Sequence, residues 1–123
     1  MPFKKFLIYG FLAMVSVAVA NGPAFAAETG IASYYGAGEP LNPDTAMNVP
    51  FDARLMECAS WEYPLGSVLE VTSLRTGKSV VVRCTDRGPA KRLNRLIDLT
   101  KDAFASIDDP NEGVIPVQVR RVR

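Results

Sequence analysis

The chain of 123 residues contains no histidine and only two cysteines, Cys58 and Cys84. The first absence removes histidine general-base chemistry and every Ser-His-Asp or Cys-His nucleophile system, because each needs an imidazole to carry the proton. The two together leave too few nitrogen and sulfur ligands for a tetrahedral zinc site, so neither a metal nor a cofactor is expected. An excess of either charge is missing as well, with 14 Lys+Arg against 13 Asp+Glu. A near-neutral domain has no global electrostatic footprint for nucleic acid. Long apolar runs are also lacking: the stretch at residues 6–20 is about fifteen residues, short of the roughly twenty that span a bilayer.

That short run has its own meaning. Lys4 and Lys5 precede it, Asn21-Gly22-Pro23 breaks it, and Ala24-Phe25-Ala26 is an A-x-A cleavage site. The pattern is that of a secretory signal peptide over residues 1–26, followed by a mature domain over 27–123. No cysteine sits at the cleavage site, so no lipid anchor and no stable membrane anchor after cleavage are expected. The mature chain carries 12 basic and 13 acidic side chains, a net charge of −1. Its length suits one small domain with a modest core. An exported domain, periplasmic or extracellular, meets an oxidising compartment, which favours a Cys58–Cys84 disulfide. Such a bond would close a loop of about 27 residues and contribute roughly 3.5 kcal/mol on the chain-entropy model. Two free buried thiols are the alternative.

What is present is mostly strand signal. Residues 30–35 alternate, with Ile31, Ser33 and Tyr35 on one side and Ala32 and Tyr34 on the other. Residues 36–50 are rich in Gly, Pro, Asn and Asp and read as a loop; residues 51–59 are ambiguous. Residues 67–73 alternate cleanly, residues 74–77 form a turn with Gly77 at a positive φ, and residues 78–84 return. Val80-Val81-Val82 predicts burial on both faces of that strand. Residues 95–99 are another short strand. Thr100 can cap a helix over 101–107, with Asp102 favourable in its first turn and Leu99, Ala103, Phe104 and Ile107 inward. Residues 114–122 are a last strand, with Pro116 suggesting an edge. Many short strands and one short helix in so small a domain point to a small β-barrel.

The Val-rich strand runs into Asp86-Arg87-Gly88-Pro89. A carboxylate at a strand end, held by a rigid turn, can serve a site or simply shape the turn by accepting backbone N–H bonds. The chain also contains Gly30-Ile31-Ala32-Ser33-Tyr34-Tyr35-Gly36, Thr45-Ala46, Pro50-Phe51-Asp52, Pro64-Leu65-Gly66, Thr76-Gly77-Lys78 and Ile97-Asp98-Leu99-Thr100. Taken with Asp86-Arg87-Gly88-Pro89, they resemble the rare lipoprotein A (RlpA-like) family over nearly all of 30–119.

The resemblance implies a six-stranded double-psi β-barrel, similar to the first domain of expansins. It also implies action on peptidoglycan glycan strands, the substrate of the family's periplasmic lytic transglycosylases. The family's site is a Glu, a His and an Asp. The Asp falls on Asp86, the Glu position holds Val49, and the His position holds Ser60. One carboxyl can protonate the glycosidic oxygen and then activate the sugar's own 6-hydroxyl, so Asp86 alone can be the acid/base. Ser60 can hydrogen-bond a sugar hydroxyl but cannot transfer protons as an imidazole does. Trp61 and Tyr34 can stack on sugar faces, and Tyr35 can do so or sit in the core. Arg87, within a basic run from Arg83 to Arg95, can attract the carboxylates of stem peptides or be merely solvated. Asp98, beside the helix start, fits a capping or salt-bridge role better than site chemistry. Two functional expectations follow: a lytic transglycosylase of weak or altered activity centred on Asp86, or a non-catalytic, expansin-like wall-binding module.

Overall fold

The computed structural model describes residues 25–39, 43–48 and 50–123. All but the last two residues of the expected leader, and Val49 at the family's Glu position, lie outside that set. The elements are β1 (Glu28–Tyr35), β2 (Glu57–Ala59), β3 (Val68–Ser73), β4 (Ser79–Asp86), β5 (Ile97–Thr100), α1 (Lys101–Ile107) and β6 (Ile115–Arg121). The strands close into a barrel in the order β1-β5-β2-β4-β3-β6. Pairs β1/β5 and β2/β4 are parallel, and the other four are antiparallel. This is the expected double-psi β-barrel.

Strand alternation builds the interior. Successive side chains point to opposite faces, so a closed barrel has one inner and one outer set per strand. Ala32, Cys58, Leu69, Val71, Val82, Cys84, Ile97, Leu99, Val117 and Val119 are fully or almost fully buried in one cluster. The short helix α1 covers one end of the barrel with Ala103, Phe104 and Ile107, all buried. Phe104 meets the Tyr34 ring at a centroid separation of 4.8 Å, tilted by 55°. Among the described residues no helix is long and apolar enough to cross a membrane.

Four expectations need correction. Val81 is 53% exposed while Val82 is buried, because the outer face of β4 between β3 and β2 is open there and only the inner residue enters the core. Pro116 is not on an edge, since β6 pairs with both β1 and β3. Its missing N–H is tolerated because the ladder with β3 starts only at Val117, and beyond it Leu74 N donates to the Pro116 carbonyl at 2.9 Å. Thr100 stands at the N-cap position but makes no side-chain cap. Its buried hydroxyl donates instead to the Leu55 carbonyl at 2.6 Å, tying down the chain that enters β2.

The fourth concerns the disulfide: Cys58 and Cys84 are both free and buried. They sit directly opposite one another in the parallel β2/β4 ladder. Their side chains project side by side from adjacent strands into the core, and no sulfur–sulfur bond joins them. Cys84 Sγ lies 3.8 Å from the Tyr63 and Asp86 carbonyls, and the adjacent Cys84 thiol together with burial pushes Cys58 well above the usual thiol range.

The β3–β4 hairpin is fastened to the end of α1 by Asp108. Its carboxylate accepts from Ser73 Oγ at 2.9 Å, Arg75 Nε at 3.1 Å, Arg75 Nη2 at 2.8 Å and its neighbour's backbone, Asp109 N, at 2.7 Å. The Arg75 hydrogen bonds hold the Asp108 carboxyl well below the usual carboxylate range, against the opposing effect of burial.

Two stability outcomes follow. Phe104→Ala empties a fully buried site and should lower unfolding free energy by about 3–5 kcal/mol in urea titrations. Asp108 has a depressed folded pKa, so its contribution is present above the unfolded value of about 3.9 and is lost as pH falls below it. Asp108→Asn should therefore melt earlier than wild type at pH 7, with the gap closing as the melts are repeated from about pH 4 downward.

Candidate functional site

The site lies on the outer face of β1, β5, β2 and the end of β4. Ala32 and Tyr34 face the core, so Ser33 and Tyr35 face outward. Ile97 and Leu99 are buried in the core, so Asp98 between them faces outward too, as do Glu57 and Ala59 on either side of Cys58. The register aligns them: Ser33 opposes Asp98, Asp98 opposes Ala59, and Ala59 opposes Asp86. The last pairing needs a register shift between Cys58 and Ala59, which passes over Thr85. Without that bulge Asp86 would share the inward parity of Cys84. Asp98 and Asp86 thus flank Ala59, with Cα atoms about 10 Å apart, two strand spacings.

The two carboxylates are held differently. Asp86 Oδ1 accepts from Ala46 N at 3.1 Å and Arg87 N at 2.9 Å, and its carbonyl accepts from Ser60 N at 3.1 Å. After it the chain turns through Gly88, at φ 153°, and a cis Gly88-Pro89 bond. Asp98 accepts from Ser33 Oγ at 2.9 Å. Burial is the main influence on it and raises its carboxyl to about 6, with the Ser33 bond and the charge of Arg95 only partly offsetting this. Glu57, nearby on β2, is also pushed up, by burial first, while a bond from Thr85 and the charge of Arg83 act the other way. Tyr35 is packed under Phe51, ring centroids 5.3 Å apart. Burial, and then the surrounding Cys58, Asp86, Asp98 and Glu57, push its phenol far above the usual range.

The described residues between β1 and β2 reach this face at Ala46, Met47 and Phe51. Met47 N donates to the Thr85 carbonyl at 3.2 Å, and Phe51 N to the Pro43 carbonyl at 2.8 Å. Gly36 turns the chain into this segment at φ 86°, and a Cβ there would meet the Phe51 ring at 2.7 Å.

The residues singled out from sequence divide sharply. Ser60 is fully buried. Its hydroxyl donates to the Leu96 carbonyl at 3.0 Å and accepts from Glu62 N at 3.1 Å, so it holds the chain after β2. Arg87 Nη1 donates to the Ser60 and Tyr63 carbonyls at 2.9 and 2.7 Å, bracing that same loop. Tyr34 packs on Phe104 and donates to the Pro110 carbonyl at 3.0 Å, on the core side of β1. Trp61 differs: it is 48% exposed, and its Nε1 donates to the Pro89 carbonyl at 2.9 Å, which fixes the indole plane. It borders an open cavity of about 400 Å³ shared with Thr29, Gly30, Glu62, Asn94, Arg95 and Leu96. Arg95 and Leu96 immediately precede β5, and neither Asp86 nor Asp98 is among the residues that line the cavity. Sequence reasoning placed Asp98 at a helix start; its neighbour Ser33, on the outward side of an alternating strand, was the available signal.

Comparisons with known proteins agree with this architecture. Residues 27–119 match the lytic transglycolase family. A probable endolytic peptidoglycan transglycosylase RlpA of Nostoc sp. is 41% identical over 91 residues, which cover 73% of this chain and 24% of that protein. The endolytic peptidoglycan transglycosylase RlpA of Campylobacter jejuni is 37% identical over 90 residues, covering 73% of this chain and 32% of the relative. The chain spans between 24% and 41% of the length of such curated relatives. Among solved structures, a Streptomyces papain inhibitor superposes with a TM-score of 0.64 at 25% identity, over 82% of this chain and 98% of that one. A mutant expansin of Clavibacter michiganensis in complex with cellohexaose superposes with a TM-score of 0.63 at 25% identity, over 80% of this chain and 51% of that one. The barrel topology, the Asp-Arg-Gly-Pro turn and the match along 27–119 make one conclusion: the chain belongs to the lytic transglycolase family of double-psi β-barrels.

Proposed function

We propose that this domain acts in the cell envelope on the glycan strands of peptidoglycan, with Asp98 as acid/base and Asp86 as its partner. The observation that carries the reading is Asp98: a largely buried carboxyl on the outer face of the barrel, raised to about 6, bonded to Ser33 and in line with Ala59 and Asp86. A carboxyl raised by burial is a proton donor near neutral pH. In the proposed reaction Asp98 gives its proton to the glycosidic oxygen as the bond to the anomeric carbon breaks. The resulting carboxylate takes the proton of the same sugar's 6-hydroxyl as that oxygen attacks the anomeric carbon. The products are a 1,6-anhydro end and a free hydroxyl, and Asp98 ends protonated as it began. The Asp86 carboxylate on the far side of Ala59 stabilises the positive charge of the oxocarbenium-like transition state. A neighbouring sugar stacks on Trp61. Ser60, Arg87 and Tyr34 support this arrangement by holding loop and strand in place. The family names of the relatives and the cellohexaose bound by the expansin support a glycan ligand. The A-x-A site at Ala24-Phe25-Ala26 supports export.

A second reading has its own observation. The family's His position is Ser60, whose hydroxyl is committed to the backbone. A barrel so altered can bind glycan without cutting it, with the same cleft as its contact surface.

Digestion of purified sacculi separates the two. Wild type should release anhydromuramyl ends, fastest below about pH 6, with Asp98→Asn abolishing release and Asp86→Asn reducing it at least tenfold. Retention on sacculi without any anhydro product would establish binding alone; neither retention nor product would end both readings.

Stability offers an independent check. The folded pKa of Asp98 is raised, so its contribution is fully present below about pH 4 and is lost as pH rises through about 6. Asp98→Asn should therefore be more stable than wild type at pH 8, by up to roughly 3 kcal/mol, and match it near pH 3.5. Equal melting temperatures at both pH values would contradict the buried-acid assignment.

A further inference from the structure

The open cavity beside Trp61 holds a cation that the reaction above does not use. Its volume is about 400 Å³, and its lining includes Gly30, Trp61, Glu62, Asn94, Arg95 and Leu96. The walls are fixed by bonds to groups outside the lining. Leu96 N donates to the Ile31 carbonyl at 2.9 Å, and the Leu96 carbonyl accepts from Ser60 Oγ at 3.0 Å. Gly30 lets β1 pass close to Leu96, since a Cβ there would stand 2.7 Å from the Leu96 Cβ. The indole of Trp61 is pinned at the Pro89 carbonyl and stays accessible. Asn94 makes the turn before Arg95 in the left-handed region, at φ 55°. Arg95 is half-buried, yet among the described residues its guanidinium forms neither a hydrogen bond nor an ion pair. Glu62 shares the lining without pairing with it, and Asp98 feels its charge without forming an ion pair. The guanidinium therefore keeps its N–H donors for an incoming anion.

We propose that this cavity is a subsite for an acidic amino sugar of the strand, with the ring face on Trp61 and a carboxylate on Arg95. The inference rests on the proposed action on peptidoglycan and names the part of the polymer that this cavity takes. An indole offers apolar area to the C–H face of a sugar ring. A guanidinium donates two parallel N–H bonds to a carboxylate, which a point charge cannot reproduce. Glu62 repels a carboxylate placed beside it but accepts from an amide N–H or a hydroxyl. It thereby orients the ligand, with the carboxylate toward Arg95 and the N-acyl group toward Glu62. A neutral glucan satisfies the indole alone, so the cavity distinguishes wall strands from neutral polysaccharide. The carboxylate has two sources in peptidoglycan: the lactyl group of a peptide-free muramyl residue, and the attached stem peptide.

The test compares binding to purified sacculi and to strands stripped of peptide by an amidase, each before and after its carboxylates are converted to methylamides. Wild type, Arg95→Gln and Arg95→Lys are measured. Binding is read rather than release, because Arg95 also acts on Asp98. Methylamidation should weaken wild-type binding about tenfold, by a margin that shrinks as salt is added. Arg95→Gln should bind native strands as weakly as wild type binds modified ones, and lose little more on modification. Arg95→Lys should recover part of the difference, since it restores the charge without the planar fork. Discrimination on stripped strands assigns the carboxylate to the lactyl group; discrimination on intact sacculi alone assigns it to the stem peptide. Equal wild-type binding to native and modified ligands would overturn the inference while leaving the peptidoglycan reading intact. So would an Arg95→Gln variant that loses as much on modification as wild type does. The ligand comparison needs no variant, so it holds even where a substitution impairs folding. If wild type binds none of these ligands, the peptidoglycan reading fails and this subsite fails with it.

Discussion

The site depends on one irregularity in the hydrogen-bond ladder, the bulge between β2 and β4. A closed barrel leaves each strand with an inner and an outer set of side chains, and β4 enters the core through Val82 and Cys84. Strict alternation would send Asp86 inward, where a carboxylate would face Leu and Val side chains and a buried thiol. The register shift beside Thr85 turns it outward instead, in line with Ala59 and Asp98. The rest follows from that placement. Asp86 accepts the Ala46 amide, which helps anchor the overlying segment, and Phe51 of that segment packs on Tyr35. Bulges next to active sites commonly re-aim a single side chain in this way.

Much of the fold was legible because the local patterns agree with the global one. The alternation at residues 30–35, the turn at Gly77 and the helix over 101–107 all appear where the residue types place them. The misreadings share a physical cause, which is dependence on partners distant in sequence. Val81 belongs to a continuous apolar run, yet its exposure is set by what covers the outside of β4, and nothing there does. Thr100 has the chemistry of a cap, but the Leu55 carbonyl, 45 residues earlier, takes its proton. The cysteines are spaced for a loop-closing bond but meet across a parallel ladder. Asp98 is the most instructive case. Its neighbours in sequence suggest a helix terminus, whereas its acidity is set by burial on the outer face of the barrel beside Ser33 of β1. Asp86 could be found because the rigid Gly-Pro turn is local; the commitment of Ser60, Arg87 and Tyr34 to the scaffold could not, because each has partners from 24 to 76 residues away.

Asp108 serves as an internal control for this view. Its side chain is only 1% exposed, so it is deeply placed among the described carboxylates. There the fold supplies a guanidinium, a hydroxyl and a backbone amide, and the acid is driven well below its usual range. At Asp98 the same chemical group receives one serine hydroxyl and is driven up. The chain therefore contains the means to satisfy a buried carboxylate and uses them at the hairpin, not in the cleft. Structural sites are satisfied and functional sites are left poised, because an acid held by an arginine cannot give up a proton near neutral pH.

The same reasoning links Asp98 to Tyr35. Each lacks part of the solvation that its burial removes, and the two stand on adjacent strands, β1 and β5. Independent accidents of packing would scatter such deficits over the molecule; among the described residues, Tyr35 is the sole buried side chain with an unpaired polar atom. On this argument the missing histidine does not leave the site without an acid, because burial supplies to Asp98 the acidity range that an imidazole would otherwise bring.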